Sequence, residues 1–362
     1  MVGSVACSRC LLSTDVPGVQ LEEGAVCSVC REHDRLWTDW NEAKEERLAA
    51  LKKTLDRARK KKRIYDVVVP LSGGKDSTYA LYLCRRRFDL KCLAVTFDNG
   101  FLSEYARENA RNACDILGAD HMYYGLNRQV LMYLYRFFFL KTGFFCPVCM
   151  RGIQVAISRA QIAFDVPLAI RGTSRRTEEH VAPEFFLPGN PSFLENVLEG
   201  SPLQERSSVL LHPVGFASSP PEIELPAYVE WDHKEIYKTI AGELGWKAHT
   251  ADAEHSDCRV HNIVSYIRYS KFPALVPELL RFSKLVTAGQ MTREEAERRV
   301  SENKDSIGEP DNLAWFLGAL GISREEMDGV LADPLRHMKY TKERSRAWRR
   351  LRALRHRRPV LP

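Results

Sequence analysis

Seven consecutive residues, Leu71-Ser72-Gly73-Gly74-Lys75-Asp76-Ser77, follow directly on an apolar, valine-rich run from Ile64 to Pro70 and precede a helical pattern through Leu83. A strand, a glycine-containing turn and a helix start in that order make a phosphate cradle. Glycines let backbone N–H groups approach the oxygens, and the helix N-terminus adds positive potential. The loop is not a Walker A loop, because Gly-x4-Gly-Lys-Ser/Thr is absent.

The ten cysteines form a second source of chemistry. Cys7-x2-Cys10 and Cys27-x2-Cys30 are two pairs separated by sixteen residues, with Asp15, Pro17 and Gly18 as turn formers between them. Each pair presents two thiolates from one knuckle, and two knuckles supply the four-sulfur shell that Zn2+ prefers. A segment this short builds no core of its own, so bound metal would supply its folding energy. Cys146-Pro147-Val148-Cys149 opens a helical pattern, and Cys258 lies in His255-Ser256-Asp257-Cys258. These three admit a metal or cluster site, metal-free catalytic thiols, or structural cysteines. Cys84, Cys92 and Cys114 fall inside helix or strand patterns and read as core residues.

The elements that must position these groups follow a βαβ rhythm. Lys91 to Phe97 is a β-rich run ending in Asp98-Asn99-Gly100, which places a carboxylate at the carboxyl edge of a sheet; Asp98 also reads as a simple turn former. Val166 to Ile170 is another buried-type run, ending in Gly172-Thr173-Ser174, with helices expected at 103–117 and 147–163. The prediction is an α/β fold with a doubly wound parallel sheet, an N-terminal zinc ribbon and a helical C-terminal region. Its divisions are a zinc ribbon at 1–37, a linker helix at 38–63, a nucleotide-binding domain at 64–250, a helical region at 251–335 and a basic tail at 336–362. The linker is expected to be one helix with Trp40, Ala43, Leu48, Leu51 and Leu55 roughly on one face, and the basic end Lys60-Lys61-Lys62-Arg63 as its solvated terminus.

Length and composition bound the rest. At 362 residues, with 44% apolar and 28% charged residues, the chain is long enough for a sizeable core and is not disordered as a whole. Apolar runs such as Phe137 to Leu140 stop far short of a membrane span, and the N-terminus has neither a basic nor a long apolar leader region, so the expectation is a cytoplasmic protein without membrane insertion. Residues 341–358 hold nine Lys or Arg against Glu343 alone, which exceeds the +6 of the whole chain and leaves the remainder slightly acidic. The body therefore makes no general claim on a polyanion, and the tail reads as a solvated or docking helix or as a contact for RNA or an acidic partner.

Ser72 to Ser77 match in full the Ser-Gly-Gly-x-Asp-Ser signature of the PP-loop ATP pyrophosphatases, which this chain resembles. The resemblance implies that the loop holds the β,γ-pyrophosphate of ATP while a substrate oxygen attacks the α-phosphate. It places Asp98 near the adenosine and Gly172 and Thr173 in the nucleotide pocket. Cys146, Cys149 and Cys258 resemble the tRNA-thiolating branch, in which three such thiolates hold a 4Fe-4S cluster with one iron open. The wider pattern is closer still to the N-acetyl sugar amidotransferases of surface-polysaccharide biosynthesis. Its residues are Cys7 to Cys30 with Pro17-Gly18 and Glu22-Glu23-Gly24, Cys146 to Gly152, Trp231-Asp232, Asp257-Cys258 with His261-Asn262, and Met291-Thr292-Arg293-Glu294-Glu295-Ala296. This pattern runs from about residue 5 to 330 and leaves the basic tail outside. It departs from the family at Ser270-Lys271-Phe272-Pro273-Ala274-Leu275, where a glycine-rich stretch is usual.

That resemblance implies a reaction. An acetamido group is a poor electrophile, ATP converts its oxygen into an adenylate leaving group, and ammonia displaces AMP to leave an amidine. Lys75 and backbone N–H groups would offset charge on the pyrophosphate while Mg2+ bridges the phosphates. Residue 2 is Val and no Gly-x-Cys-x-Gly elbow is present, so ammonia is expected from separate glutaminase and channel-forming subunits. The acceptor is expected to be a nucleotide-activated N-acetyl sugar. Trp231, Asp232, His255 and Asp257 are candidates for substrate contact or proton handling, each with a structural role as the alternative. A sulfurtransferase acting on tRNA or a small molecule through Cys146, Cys149 and Cys258 is the competing expectation.

Overall fold

The computed structural model describes residues 4–59, 63–177, 191–206, 221–248 and 257–341. Five strands form one parallel sheet: β1 (Val67–Pro70), β2 (Cys92–Asp98), β3 (Asp120–Gly125), β4 (Ala169–Arg171) and β5 (Glu222–Glu224), in the order β3-β2-β1-β4-β5. The chain runs outward from β1 in one direction and then returns to add β4 and β5 on the other side. The carboxyl ends of β1 and β4 therefore flank the point where the winding reverses, where open α/β sheets bind ligands.

Alternation along the strands explains why the sheet is covered on both faces. Val68, Leu93, Val95 and Phe97 enter one core with α5 (Arg128–Thr142) and α6 (Cys146–Ala163). Val67, Val69, Cys92 and Ala94 enter the other, together with α2 (Lys44–Arg59), α3 (Lys75–Tyr82), α4 (Glu104–Leu117) and the helix His233–Leu244. Successive residues of a strand face opposite sides, so an all-apolar strand requires two cores. Cys84, Cys92 and Cys114 are buried there as expected. Ser103 caps α4 by accepting from the Ala106 N–H at 3.0 Å, and Gly118 ends that helix in the left-handed conformation.

The linker departs from expectation. Instead of one helix over 38–63, α1 (Ser28–Trp37) ends at a turn, and α2 begins only at Lys44; residues 60–62 lie outside the described residues. Trp40 and Ala43 thus sit before α2 rather than on it. Trp40 packs edge-on against Trp37 at 5.7 Å between ring centroids, with the Arg47 guanidinium over both rings, and this cluster turns the chain. Leu51, Leu55 and Ala58 of α2 are buried in the sheet core, so the helix is a layer of the nucleotide-binding fold.

Helices His261–Lys271, Leu279–Thr287, Arg293–Ser306, Leu313–Leu320 and Arg324–Leu331 build the C-terminal region. Among the described residues no helix is long and apolar enough to cross a membrane.

Candidate functional site: the PP-loop and its cysteine neighbours

The turn between β1 and α3 is shaped by close approaches. Gly73 has φ +81°, and a Cβ placed there would lie 2.0 Å from the Ala106 carbonyl oxygen of α4. A Cβ on Gly172, just past β4, would lie 2.4 Å from the Asp76 carbonyl oxygen. Glycine at both positions lets two neighbouring loops touch the start of α3 with backbone alone. Ser77 closes the loop: its Oγ accepts from the Ser72 N–H at 3.2 Å and donates to the Gly74 carbonyl at 3.1 Å. The Gly74 N–H donates to Ser72 Oγ at 3.3 Å. From the far side, the Trp246 indole donates to the Gly73 carbonyl at 2.9 Å.

The buried Lys75 and the half-buried Asp76 form a polar group. The Lys75 ammonium donates to Asp76 Oδ2 at 2.8 Å and lies 2.7 Å from His233 Nδ1, while the Trp231 indole donates to Asp76 Oδ1 at 2.9 Å. In this state the lysine is turned to its neighbours, not toward the open loop. Trp231 and Asp232, expected near substrate, have scaffold contacts here. Trp231 is fully buried and holds Asp76, and Asp232 caps the helix His233–Leu244 by accepting from the Lys234 and Glu235 N–H groups at 2.9 and 3.0 Å. Asp98 accepts from the Gly100 N–H at 3.0 Å and from Arg107 at 3.3 Å, so its turn-forming contact is present at the edge of the sheet. Gly172 is buried and Thr173 is exposed beside it.

A short extended pairing sets the third side of the site. Leu102 bridges Cys258 in antiparallel fashion, the Ser103 N–H donates to the Asp257 carbonyl at 3.0 Å, and the Arg259 N–H donates to the Phe101 carbonyl at 2.9 Å. Neighbouring residues in extended backbone project to opposite sides. The Asp257 carboxylate accordingly lies against the loop, 3.3 Å from where a Gly74 Cβ would stand. Cys258 instead packs into the core beside Cys146 and Cys149. His255 lies outside the described residues.

Cys146, Cys149 and Cys258 share one apolar enclosure. Burial pushes the Cys146 thiol up to about 12 and the Cys149 thiol up to about 11, and drives Cys258 well above the ordinary thiol value. Asn99 donates its side-chain amide to Cys149 Sγ at 3.4 Å, and the Tyr135 hydroxyl donates to the Asn99 carbonyl at 3.0 Å. Arg268 electrostatically favours the Cys146 thiolate. The three sulfurs are not as tightly gathered as the four at the N-terminus. Three soft donors, with an amide N–H aimed at one of the sulfurs, are a donor type that an iron–sulfur cluster takes.

The N-terminal four fit a single metal ion. All four sulfurs are buried and lie within 4.8 Å of one another, with Cys7 to Cys30 at 3.9 Å and Cys10 to Cys27 at 3.7 Å. A tetrahedral shell with metal–sulfur bonds of about 2.3 Å has edges of about 3.8 Å. Hydrogen bonds from Cys10 and Cys30 lower the Cys27 thiol below its ordinary value, toward the thiolate form that metals bind. The knuckles dock on the C-terminal helices: Leu12, Val16 and Val19 pack with Leu275, Val276, Leu279 and Leu280. Arg293 donates to the carbonyls of Cys7 and Cys10 at 2.9 and 3.0 Å. Thr292 caps the Arg293–Ser306 helix by accepting from the Glu295 N–H at 3.1 Å, and Met291 and Ala296 pack beneath. The motif from Met291 to Ala296 thus serves the ribbon.

Four residues at these sites, His233, Trp246, Asn99 and Tyr135, have no signature in the sequence. Single aromatic or amide side chains carry no spacing signal, and only the sheet's winding brings them to the loop.

Two family models match separate segments of the chain. Residues 47–141 match the family model described as NAD synthase, and residues 257–355 match that described as LPS biosynthesis protein WbpG-like, C-terminal domain. The second match begins at Asp257 and extends into the basic tail, past the end of the motif pattern near residue 330; residues 342–362 lie outside the described residues. A curated relative, the uncharacterized protein MJ1599 of Methanocaldococcus jannaschii, is 25% identical over 66% of this chain and 74% of its own length. Similar solved structures include an NMN synthetase from Francisella tularensis (12% identity, TM-score 0.38, 74% of this chain and 98% of that one). Others are an NH3-dependent NAD synthetase from Campylobacter jejuni (15%, 0.33, 75% and 99%) and the U34-tRNA thiolase NcsA from Methanococcus maripaludis with its [4Fe-4S] cluster (16%, 0.33, 85% and 90%).

Proposed function

For this chain, which belongs to the PP-loop superfamily and carries a WbpG-like C-terminal domain, we propose an ATP-dependent amidotransferase that adenylates the acetamido carbonyl of an N-acetyl sugar for attack by ammonia. The observation that carries the reading is the junction at Asp257. The first residues of the WbpG-like segment place a carboxylate against Gly74 of the loop, so the two matched segments meet at one site.

Amide resonance makes the carbonyl oxygen the nucleophile. It attacks the α-phosphorus, the bond to the bridging oxygen breaks, and pyrophosphate leaves into the loop. The loop between β1 and α3 and the N-terminus of α3 would face the departing charge. Ammonia then adds to the activated carbon, AMP departs with the former carbonyl oxygen, and an amidine remains. Asp257 accepts the proton that the attacking nitrogen sheds. Trp231 and Lys75 fix Asp76 at the start of α3, which keeps the loop in register with β4. Mg2+, when bound, neutralises phosphate oxygens. Cys7, Cys10, Cys27 and Cys30 would hold a structural Zn2+ that fixes the two knuckles, which Arg293 and the apolar contacts keep on the C-terminal helices. The match to a family of LPS biosynthesis proteins supports a role in surface-polysaccharide synthesis; in this reading the acceptor is a nucleotide-activated sugar and separate subunits supply ammonia.

A second reading rests on the enclosure of Cys146, Cys149 and Cys258 next to the same loop. Those thiolates would hold a 4Fe-4S cluster, which supplies an open iron able to take sulfide, and the product would be a thiolated acceptor such as tRNA. One experiment separates the two: ATP, Mg2+ and a 2-acetamido sugar nucleotide are supplied with ammonium or with sulfide, and the product is weighed. Replacement of oxygen by NH lowers the mass by about 1 dalton, and replacement by sulfur raises it by about 16. A sulfur-shifted product with none from ammonium overturns the amidotransferase.

A further inference from the structure

Arg176 lies on the loop after β4, five residues past Arg171, on the strand that neighbours β1 and its PP-loop. It is 7% exposed, yet among the described residues it makes no hydrogen bond and no ion pair; its Nε is buried without a partner. Its guanidinium lies over the face of Trp40, 4.7 Å from the guanidinium carbon to the ring centroid. Trp40 is itself 3% exposed, and its indole N–H is also unpartnered.

The carboxylates that feel Arg176 are committed elsewhere. Asp232 caps the helix His233–Leu244, and Glu230 pairs with Lys44 at 2.7 Å. His33, whose imidazole burial holds below its ordinary pKa and so neutral, is also in electrostatic reach and lies near Lys284, so among the described residues the surroundings add no further anion. Burial alone pushes the guanidinium pKa below its ordinary value. A guanidinium has five N–H donors in a planar fork and stays charged, so enclosing it without an acceptor is costly unless an anion completes the site. Trp231 and Asp76 connect this place to the loop, because Glu230 and Asp232 flank the tryptophan that holds Asp76.

We infer that Arg176, backed by the Trp40 ring, receives an oxyanion of the acceptor, a phosphate or a carboxylate, in the crevice beside the PP-loop. The inference rests on the reading that an acceptor is adenylated at this loop. The phosphates of ATP have their own cradle in the backbone of Ser72 to Ser77, whereas Arg176 and Trp40 come from the β4 exit and the turn after the ribbon. A planar fork over an aromatic face selects a two-oxygen anion and fixes where the neutral end of the acceptor falls. The acetamido carbonyl is thereby positioned by a charge remote from it.

The test uses the full chain, with wild type compared against Arg176→Met and Arg176→Lys by thermal unfolding. The loop is filled with α,β-methylene ATP and Mg2+ before inorganic phosphate, UDP-N-acetylglucosamine or glucuronate is added. The expected result is an unliganded Tm for Arg176→Met equal to or above wild type, since an unpaired buried charge is removed. At least one of the three anions should raise the wild-type Tm, and that rise should vanish in Arg176→Met and shrink in Arg176→Lys, while the nucleotide response persists in all three proteins. Phosphate compounds acting alone identify a phosphate acceptor, and glucuronate acting alone a carboxylate. A fall of several degrees in unliganded Arg176→Met shows a structural arginine and overturns the inference. So do loss of the nucleotide response in that variant, an equal anion response in wild type and variant, and a wild type indifferent to all three anions. If the anion response stands but no amidine forms, the amidotransferase reading alone fails.

Discussion

Replacing Gly172 by alanine puts the contact between β4 and the PP-loop under direct strain. The added methyl would stand 2.4 Å from the Asp76 carbonyl oxygen, and side-chain carbons in proteins do not come closer than 3.0 Å, so the two loops must part by at least 0.6 Å. The obstacle is backbone of the first turn of α3, which no rotamer change can move aside. Overpacking of this kind costs about 1–3 kcal/mol in stability. Its effect on turnover is larger, because a displacement approaching 1 Å at a reacting geometry lowers rates on the order of a hundredfold. Pyrophosphate release in the presence of ammonium and acceptor measures the rate, and urea unfolding measures the stability. Gly242→Ala in the helix His233–Leu244 is the matched control, since a Cβ there meets nothing within 4 Å; it should gain up to about 1 kcal/mol from helix propensity and leave turnover unchanged. Wild-type pyrophosphate release by Gly172→Ala would refute the claim that this glycine sets the loop.

Lys75→Ala or Asp76→Ala should abolish pyrophosphate formation, because both changes dismantle the polar group that fixes the start of α3; release at the wild-type rate would remove the loop from the mechanism. Purified protein should hold about one metal ion at the four-thiol site on the tetrahedral rule, and Cys27→Ser should expose residues 1–35 to protease before the nucleotide-binding domain; a metal-free preparation with a resistant N-terminus would contradict this. Arg293→Ala should speed metal loss to a chelator by removing two donors from the knuckle carbonyls, and an unchanged rate would show that the apolar contacts suffice. Burial brings the Lys271 ammonium, set over the Phe144 ring, down to about 7 with Arg336 assisting and Asp333 opposing. Above that value the unfolded chain binds more protons at this residue than the folded one, so its effect is stability that grows with pH from about 7 toward the ordinary lysine value. Lys271→Met should flatten that rise in Tm, and an identical pH profile would show that the lysine is charged when folded.

The parts of this molecule that announce themselves in the chain are those whose function depends on adjacency. Ser72 to Ser77 act through consecutive backbone groups, and the four N-terminal cysteines through paired spacing, so both are legible in the order of residues alone. The helices at 104–117 and 146–163 are legible from periodicity, and β1, β2 and β4 from apolar runs. β3 is not: Asp120 to Gly125 is an edge strand whose polar and aromatic residues are only partly buried, and it lacks an apolar run. β5 has three residues, Glu222 to Glu224, and is held to β4 in part by the pairing of Glu222 with Arg171. The break after Trp37 falls at Thr38-Asp39-Trp40-Asn41, residues of low helix propensity outweighed in the pattern by the Ala-, Leu-, Glu-, Lys- and Arg-rich stretch behind them, and tertiary contacts of Trp37, Trp40 and Arg47 hold the turn. Trp231 and Asp232 stand out as a motif, yet their contacts are with Asp76 and a helix end, which only the folded chain reveals. Arg176 gives no signal at all, since an arginine becomes informative only when burial leaves it unanswered.

The grip of Arg293 on the knuckles of Cys7 and Cys10 spans 286 and 283 positions. The ribbon therefore acquires its resting place only after Arg293 has emerged from the ribosome. During that interval the cysteine pairs have the metal as their sole organiser, and their apolar residues Leu12, Val16 and Val19 are uncovered. Metal capture becomes an early event of biogenesis and docking a late one, with loop closure across most of the polypeptide as the step between them. Such an arrangement ties the later-made helices to the quality of the earlier-made ribbon, so that a chain starved of metal would leave the apolar face at Leu275, Val276, Leu279 and Leu280 exposed, a state open to proteolysis before any nucleotide is bound.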